Sequence, residues 1–170
     1  LYPGNYCGGL TITDGSQVAF APGTYVISDG PFLVSAYASI KGENVGFYMT
    51  GTDAAINFTA NTSISLTAPK DGPMAGLLIF EDRKSSYVKL HRISSNDARM
   101  LLGTIYLPNG KLEVDANKPV ADQSAYTAIV VRHMTLSEGP NLVLNADYDA
   151  TDIPVPRGMG AVGGNIVLAQ

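Results

Sequence analysis

Two stretches near the start of the chain, YPGNYCGGLTI (Tyr2 to Ile12) and APGTYVISDGPFLV (Ala21 to Val34), repeat one phrase. Each has Pro-Gly, a polar residue, a tyrosine and a short apolar run, and the Pro-Gly pairs stand 19 residues apart. A unit of turn, short strand, turn, short strand recurring at roughly 20 residues marks a solenoid, in which each coil buries its apolar side only by stacking on the next. Stacking at this period sets Tyr6 beside Tyr25 and Leu10-Thr11-Ile12 beside Phe32-Leu33-Val34, on coils ~4.8 Å apart.

The rest of the chain uses the same grammar. Helical spacing is nearly absent. Apolar residues alternate or cluster in short runs bounded by Gly, Pro, Asn and Asp, which are strand and turn signals. Late runs are Ala75 to Phe80, Val88 to Ile93, Leu101 to Tyr106, Lys111 to Val114, Thr127 to Arg132, Met134 to Leu136, Leu142 to Leu144 and Ile166 to Leu168. So many short strands would crowd a β-sandwich, which is the alternative fold. The expected architecture is all-β, a right-handed parallel β-helix with corner insertions, forming one domain over residues 1–170. Three segments depart from the ladder: Glu81 to Ser86 as a corner excursion or hairpin, and Ser94 to Arg99 and Lys118 to Ala125 as loops with room for one helical turn. Ala146 to Gly164 is expected to cross one face or end and cap the open strand edges there.

Charge narrows the partners. Fifteen acidic residues against eleven basic ones give a formal net charge of −4, and no basic stripe is present to neutralise phosphates, which argues against nucleic acid. No stretch approaches the ~18 apolar residues of a membrane helix. Cys7 is the single cysteine, so no disulfide closes within the chain, and its alternating context predicts a small buried thiol. Leu1 falls inside a repeat, with neither initiator methionine nor signal peptide before it, which suggests a C-terminal piece of a longer anchored protein.

The phrases YPGNYCGGLTI, GLLIFEDR, NDARMLLGTIYLPNGKLEVDA, PVADQSAYTAIVVR and GPNLVLNADYDATDIPVP together resemble the C-terminal region of TadG-like proteins of the Flp/Tad pilus-assembly system. The resemblance runs along essentially the whole chain. It implies a bacterial envelope protein, exported to the periplasm or cell surface and attached to the membrane only through an upstream anchor. It also implies a non-enzymatic role in pilus assembly, adherence or biofilm formation, with pilus or envelope proteins as partners. The family supplies no catalytic residues to carry over.

Glycoside hydrolysis needs two carboxylates ~5 to 9 Å apart across a groove. Glu81-Asp82 with Asp97, and Glu113 with Asp115 on one strand face, are the available acids, and a structural network of ion pairs and turn hydrogen bonds accounts for them. His91 and His133 each adjoin an arginine and lack a second ligand at metal spacing, so both read as surface residues. Asn145, Asp147, Asp149 and Asp152 begin like a calcium loop, but Ala150 stands where glycine belongs and Pro156 where glutamate belongs; turn chemistry explains the same residues. No other cofactor is implied. Tyr37, Tyr87, Tyr126 and Tyr148 lie near loops or strand ends and are the candidate partner-contact residues. A polysaccharide lyase or hydrolase, or a carbohydrate-binding module with an aromatic row taking glycan, are the alternative functions.

Overall fold

The structure is a computed structural model that describes residues 1–85, 88–139 and 141–158. It is a parallel β-solenoid of about six turns with essentially no helix. Each of the early coils has three sides rather than the two suggested by the repeat. The first coil is β1 (Gly4–Cys7), β2 (Leu10–Ile12) and β3 (Gln17–Phe20); the second is β4 (Gly23–Ser28), β5 (Phe32–Val34) and β6 (Ser39–Gly42). The third is β7 (Val45–Thr50), β8 (Ile56–Phe58) and β9 (Ser63–Thr67). The fourth opens with β10 (Leu77–Glu81) and β11 (Leu90–Ile93).

All pairings between these strands are parallel, coil on coil, which removes the β-sandwich alternative. Leu10-Thr11-Ile12 lies opposite Phe32-Leu33-Val34 as expected. Tyr6 does not lie opposite Tyr25: its partner is Ile27, and Gly4 faces Tyr25. The Pro-Gly spacing is therefore two residues short of the true register. The rings of Tyr6 and Tyr25 still stack, with centroids 6.0 Å apart, because large side chains reach diagonal neighbours across a ladder.

Beyond the third coil, the separate runs of the sequence fuse. β12 (Asp97–Val114) is one strand of 18 residues that bends around the solenoid. It pairs with β9 first, then β10, then β11. The expected loop Ser94 to Arg99 thus ends in strand. β14 (Thr127–Leu136) lies along β12 over two sides, and β13 (Pro119–Val120) pairs with β15 (Asn141–Leu142) on the third. Lys118 to Ala125, expected as a loop, holds β13, and the Ala121 N–H donates to Ala98 O at 2.9 Å. Ile166 to Leu168 lies outside the described residues.

Inward side chains form continuous ladders. Tyr25, Phe47, Ile79, Ile105 and Ile129 stack in register on one side. Ile12, Val34, Phe58, Ile93 and Val114 do so on the next. Between them, Phe47 contacts Phe32 at 4.7 Å and Phe20 at 5.2 Å between ring centroids, each such pair adding about 0.5–1.5 kcal/mol to plain burial. Corners are tight. A Cβ on Gly30 would stand 2.1 Å from Gly8 O, so only glycine lets the first two corners nest. The last described segment folds back over the corner at residues 69–76. Ile153 enters the core, Lys70 pairs with Asp152 at 2.6 Å, and the Tyr126 hydroxyl donates to Pro154 O at 2.7 Å.

Candidate functional site

The fourth coil carries one side-chain cluster outside the solenoid and another inside it. On the outside, strand alternation turns Val26, Tyr48, Phe80, Tyr106 and Val130 outward in register. The three aromatic rings stack, with centroids 5.7 and 5.1 Å apart and planes inclined by 13° and 14°. Arg83, in the corner after β10, covers the row: its guanidinium lies 5.9 Å from the Phe80 centroid and 5.2 Å from that of Tyr106. Its Nε donates to the Tyr106 hydroxyl at 3.1 Å. Beside the row runs an open groove of about 440 Å³ lined by Thr24, Val26, Tyr48, Pro73, Leu77 and Phe80.

Inside, Glu81 and His91 occupy ladder slots that are apolar in the neighbouring coils. Glu81 follows Ile27 and Met49. His91 lies opposite Leu112, and Ile56 donates its N–H to His91 Nδ1 at 3.3 Å. Glu81 and His91 have no exposed surface and Lys89 keeps 5%. Glu81 Oε1 lies 3.7 Å from Lys89 Nζ and 3.7 Å from His91 Nε2, while Oε2 accepts the Asn109 N–H at 3.0 Å. Because Nδ1 is an acceptor, the neutral imidazole carries its proton on Nε2, facing the carboxylate. Burial pushes the Glu81 carboxyl upward, but His91, the Asn109 N–H and Lys89 outweigh it and hold it below the usual range. Among the described residues, Glu81 Oε1, Lys89 Nζ and His91 Nε2 have no hydrogen-bond partner.

This cluster corrects the surface assignment of His91. In LHRI the inward parity belongs to His91 and Ile93, leaving Leu90 48% exposed; the apolar residue pointed to the wrong face. His133 is exposed as expected. Cys7 is exposed, not buried: it lies opposite Ser28, one residue past the inward pair Tyr6–Ile27, and so takes the outward parity. The other acids are held individually. Asp82 accepts from Thr50 Oγ1 at 3.0 Å and the Lys84 N–H at 2.9 Å; Asp97 accepts from Ser63 Oγ at 2.6 Å. Arg99 pairs with Asp122 and Arg92 with Glu113 at 3.2 Å, while Glu113 and Asp115 share a half-buried face.

Of the tyrosines, Tyr37 is 76% exposed and Tyr148 half-buried. Tyr126 is fully buried, and burial, with Tyr148 close by, pushes its hydroxyl up to about 12 against the Thr104 hydrogen bond. Its place at the start of β14 hid an inward position. Tyr87 lies outside the described residues. Among the calcium-loop residues, the Asn145 amide donates to Ser124 O at 2.8 Å, Lys70 takes Asp152, and Asp147 and Asp149 are exposed. No group of three or more His, Cys, Asp or Glu side chains able to hold a metal ion occurs among the described residues.

The row Tyr48, Phe80, Tyr106 and its Arg83 cover were not anticipated. Their spacing along the chain is irregular, and VGFYMT and GLLIFE read as core segments; only the register separates Phe47 from Tyr48. Comparison with protein-family models, curated proteins and solved structures finds no match for this chain.

Proposed function

We propose that this domain is a non-enzymatic structural and adhesive module of a TadG-like pilus-assembly protein, acting at the bacterial envelope through one face of its solenoid. The observation that carries the contact role is the outward row Tyr48–Phe80–Tyr106 clamped by Arg83. It sits on strands bonded on both edges, so its rings lose little freedom on binding, and aromatic and arginine side chains dominate protein contact energies. The sequence phrases supply the partner class: pilin subunits or assembly components outside the cytoplasm.

A carbohydrate-binding module is the second reading, favoured by the same row. Sugar stacking uses exposed ring faces, however, and these rings face one another along the solenoid axis and turn their edges outward. Protein contact suits that geometry better.

The test uses the purified domain as bait in an envelope extract of its source organism. Pilin or Tad components are retained, and replacing Tyr48 and Tyr106 together by serine lowers the retained amount by about tenfold or more, the loss of one hot spot. Recovery of glycan alone, or of pilin unaffected by the double change, sinks the reading; shortened glycan in the eluate would revive the enzyme alternative.

A further inference from the structure

Burial makes the Glu81–Lys89–His91 cluster useless to an outside substrate. Neither Glu81 nor His91 has accessible surface. A primary amine and a carboxyl group enclosed in this way have only each other to react with. We propose that Glu81 and Lys89 condense into an intramolecular amide that closes the base of the corner insertion between β10 and β11. The inference does not depend on the pilus reading.

Four features of the cluster favour the reaction. First, Lys89 Nζ stands 3.7 Å from Glu81 Oε1, so the amine lies beside the carboxyl it would attack and the two groups meet without a bimolecular encounter. Second, in water the ammonium and carboxylate forms are stabilised by hydration, and that stabilisation is what opposes condensation. Here hydration is replaced by Met49, Ile56 and Leu112 of the adjoining ladder positions, so the charged pair has lost the water that favours it over the uncharged amide. Third, the Asn109 N–H already holds Oε2 at 3.0 Å. Oε2 is the oxygen that remains, and a donor at that position stabilises the charge gathered there as the carbon becomes tetrahedral. Fourth, His91 directs its Nε2 at Oε1, the oxygen that leaves.

The step balances without any further reagent. One proton passes from the Lys89 ammonium to Oε1, giving amine and acid. The Nζ lone pair forms the bond to Cδ while the Cδ–Oε1 bond breaks, and a second proton follows from Nζ to Oε1. Water departs, Oε2 becomes the amide carbonyl, and no oxidant, reductant or net proton is consumed. His91 is a positioning residue: its Nε2 faces Oε1 at 3.7 Å and takes no proton in the step. Glu81 closes β10 and Lys89 immediately precedes β11, so the bond holds the two sides of the fourth coil together at the place where its corner is longest.

The experiment is the intact mass of the folded, purified chain, measured after denaturation and followed by peptide mapping. The expected chain is lighter than its sequence by one water, with a branched peptide joining the segment that contains Glu81 to the segment that contains Lys89. Lys89→Arg, which keeps the charge but not the nucleophilic amine, shows the full sequence mass. In folded His91→Leu protein of equal age the linked fraction falls by about tenfold or more, the scale of a lost polar group aimed at the reacting carboxyl. A wild-type chain of full sequence mass overturns the proposal. So does a water loss that maps to an Asp-Gly pair such as Asp71-Gly72, where the backbone itself can cyclise.

Discussion

The second and third coils differ from the fourth at matched positions. Ile27 and Met49 precede Glu81 in one inward ladder, and Phe32 and Ile56 precede His91 in the next. The early coils are held by shape and area, and any apolar side chain of suitable volume would serve in those slots. The fourth coil is held by a set whose members require one another: Glu81, Lys89, His91 and one backbone N–H. An apolar ladder degrades gradually when altered, whereas a buried polar set fails when one member is removed.

Breaking the set singly should have the largest effect. Glu81→Leu leaves the Lys89 ammonium in the core without its partner. By urea unfolding it should be less stable, by about 3–5 kcal/mol, than the triple variant Glu81→Leu, Lys89→Met, His91→Leu, which makes the fourth coil resemble the third. Equal stability of the two would erase the distinction between the coils.

Gly110→Ala comes next. A Cβ there would meet the His91 ring at 2.7 Å and should cost about 1–3 kcal/mol through overpacking. The cost should shrink when His91 is shortened to serine in the same chain, a coupling readable from a double-mutant cycle. On the outer side of the same coil, Arg83→Ala removes a solvent-facing cation from two rings and should change stability by only about 0.5–1 kcal/mol.

The final contrast is with pH. Where Glu81 keeps a free carboxyl, its folded-state value lies below the unfolded one. Its stabilisation is then complete above an unfolded value of about 4.3 and fades as pH falls through the folded value. Chains with free Glu81 should lose urea resistance on acidification more steeply than the triple variant. Chains carrying the amide should lack that added slope. Parallel acid profiles for free-carboxyl and triple-variant protein would show that Glu81 contributes nothing.

The same contrast explains what the sequence reveals. In the first coils alternation and turns are consistent, so the solenoid and the Leu10–Ile12 against Phe32–Val34 register can be read directly. The Tyr6 register was misjudged because the Pro-Gly pair marks where a turn occurs, not which residue faces which. From residue 69 onward the corners vary in length, and alternation inside LHRI or LLIFE does not say which parity is inward. His91 and Tyr126 were obscured for that reason, and the Tyr48–Phe80–Tyr106 row because its strands read as core segments. Side-chain polarity normally decides inward from outward, and here a buried polar set reverses it.

One strand alters how the molecule breathes. Most coils meet their successors only through corners and edge pairing, so a solenoid of that kind can open one coil at a time. Asp97–Val114 is different, since it completes the fourth coil, begins the fifth and pairs with β9, β10, β11 and β14 along its length. Its amides therefore belong to both coils. Releasing either coil pulls on the other, and the centre of the solenoid opens to solvent as one cooperative block, while the first coils exchange with water individually.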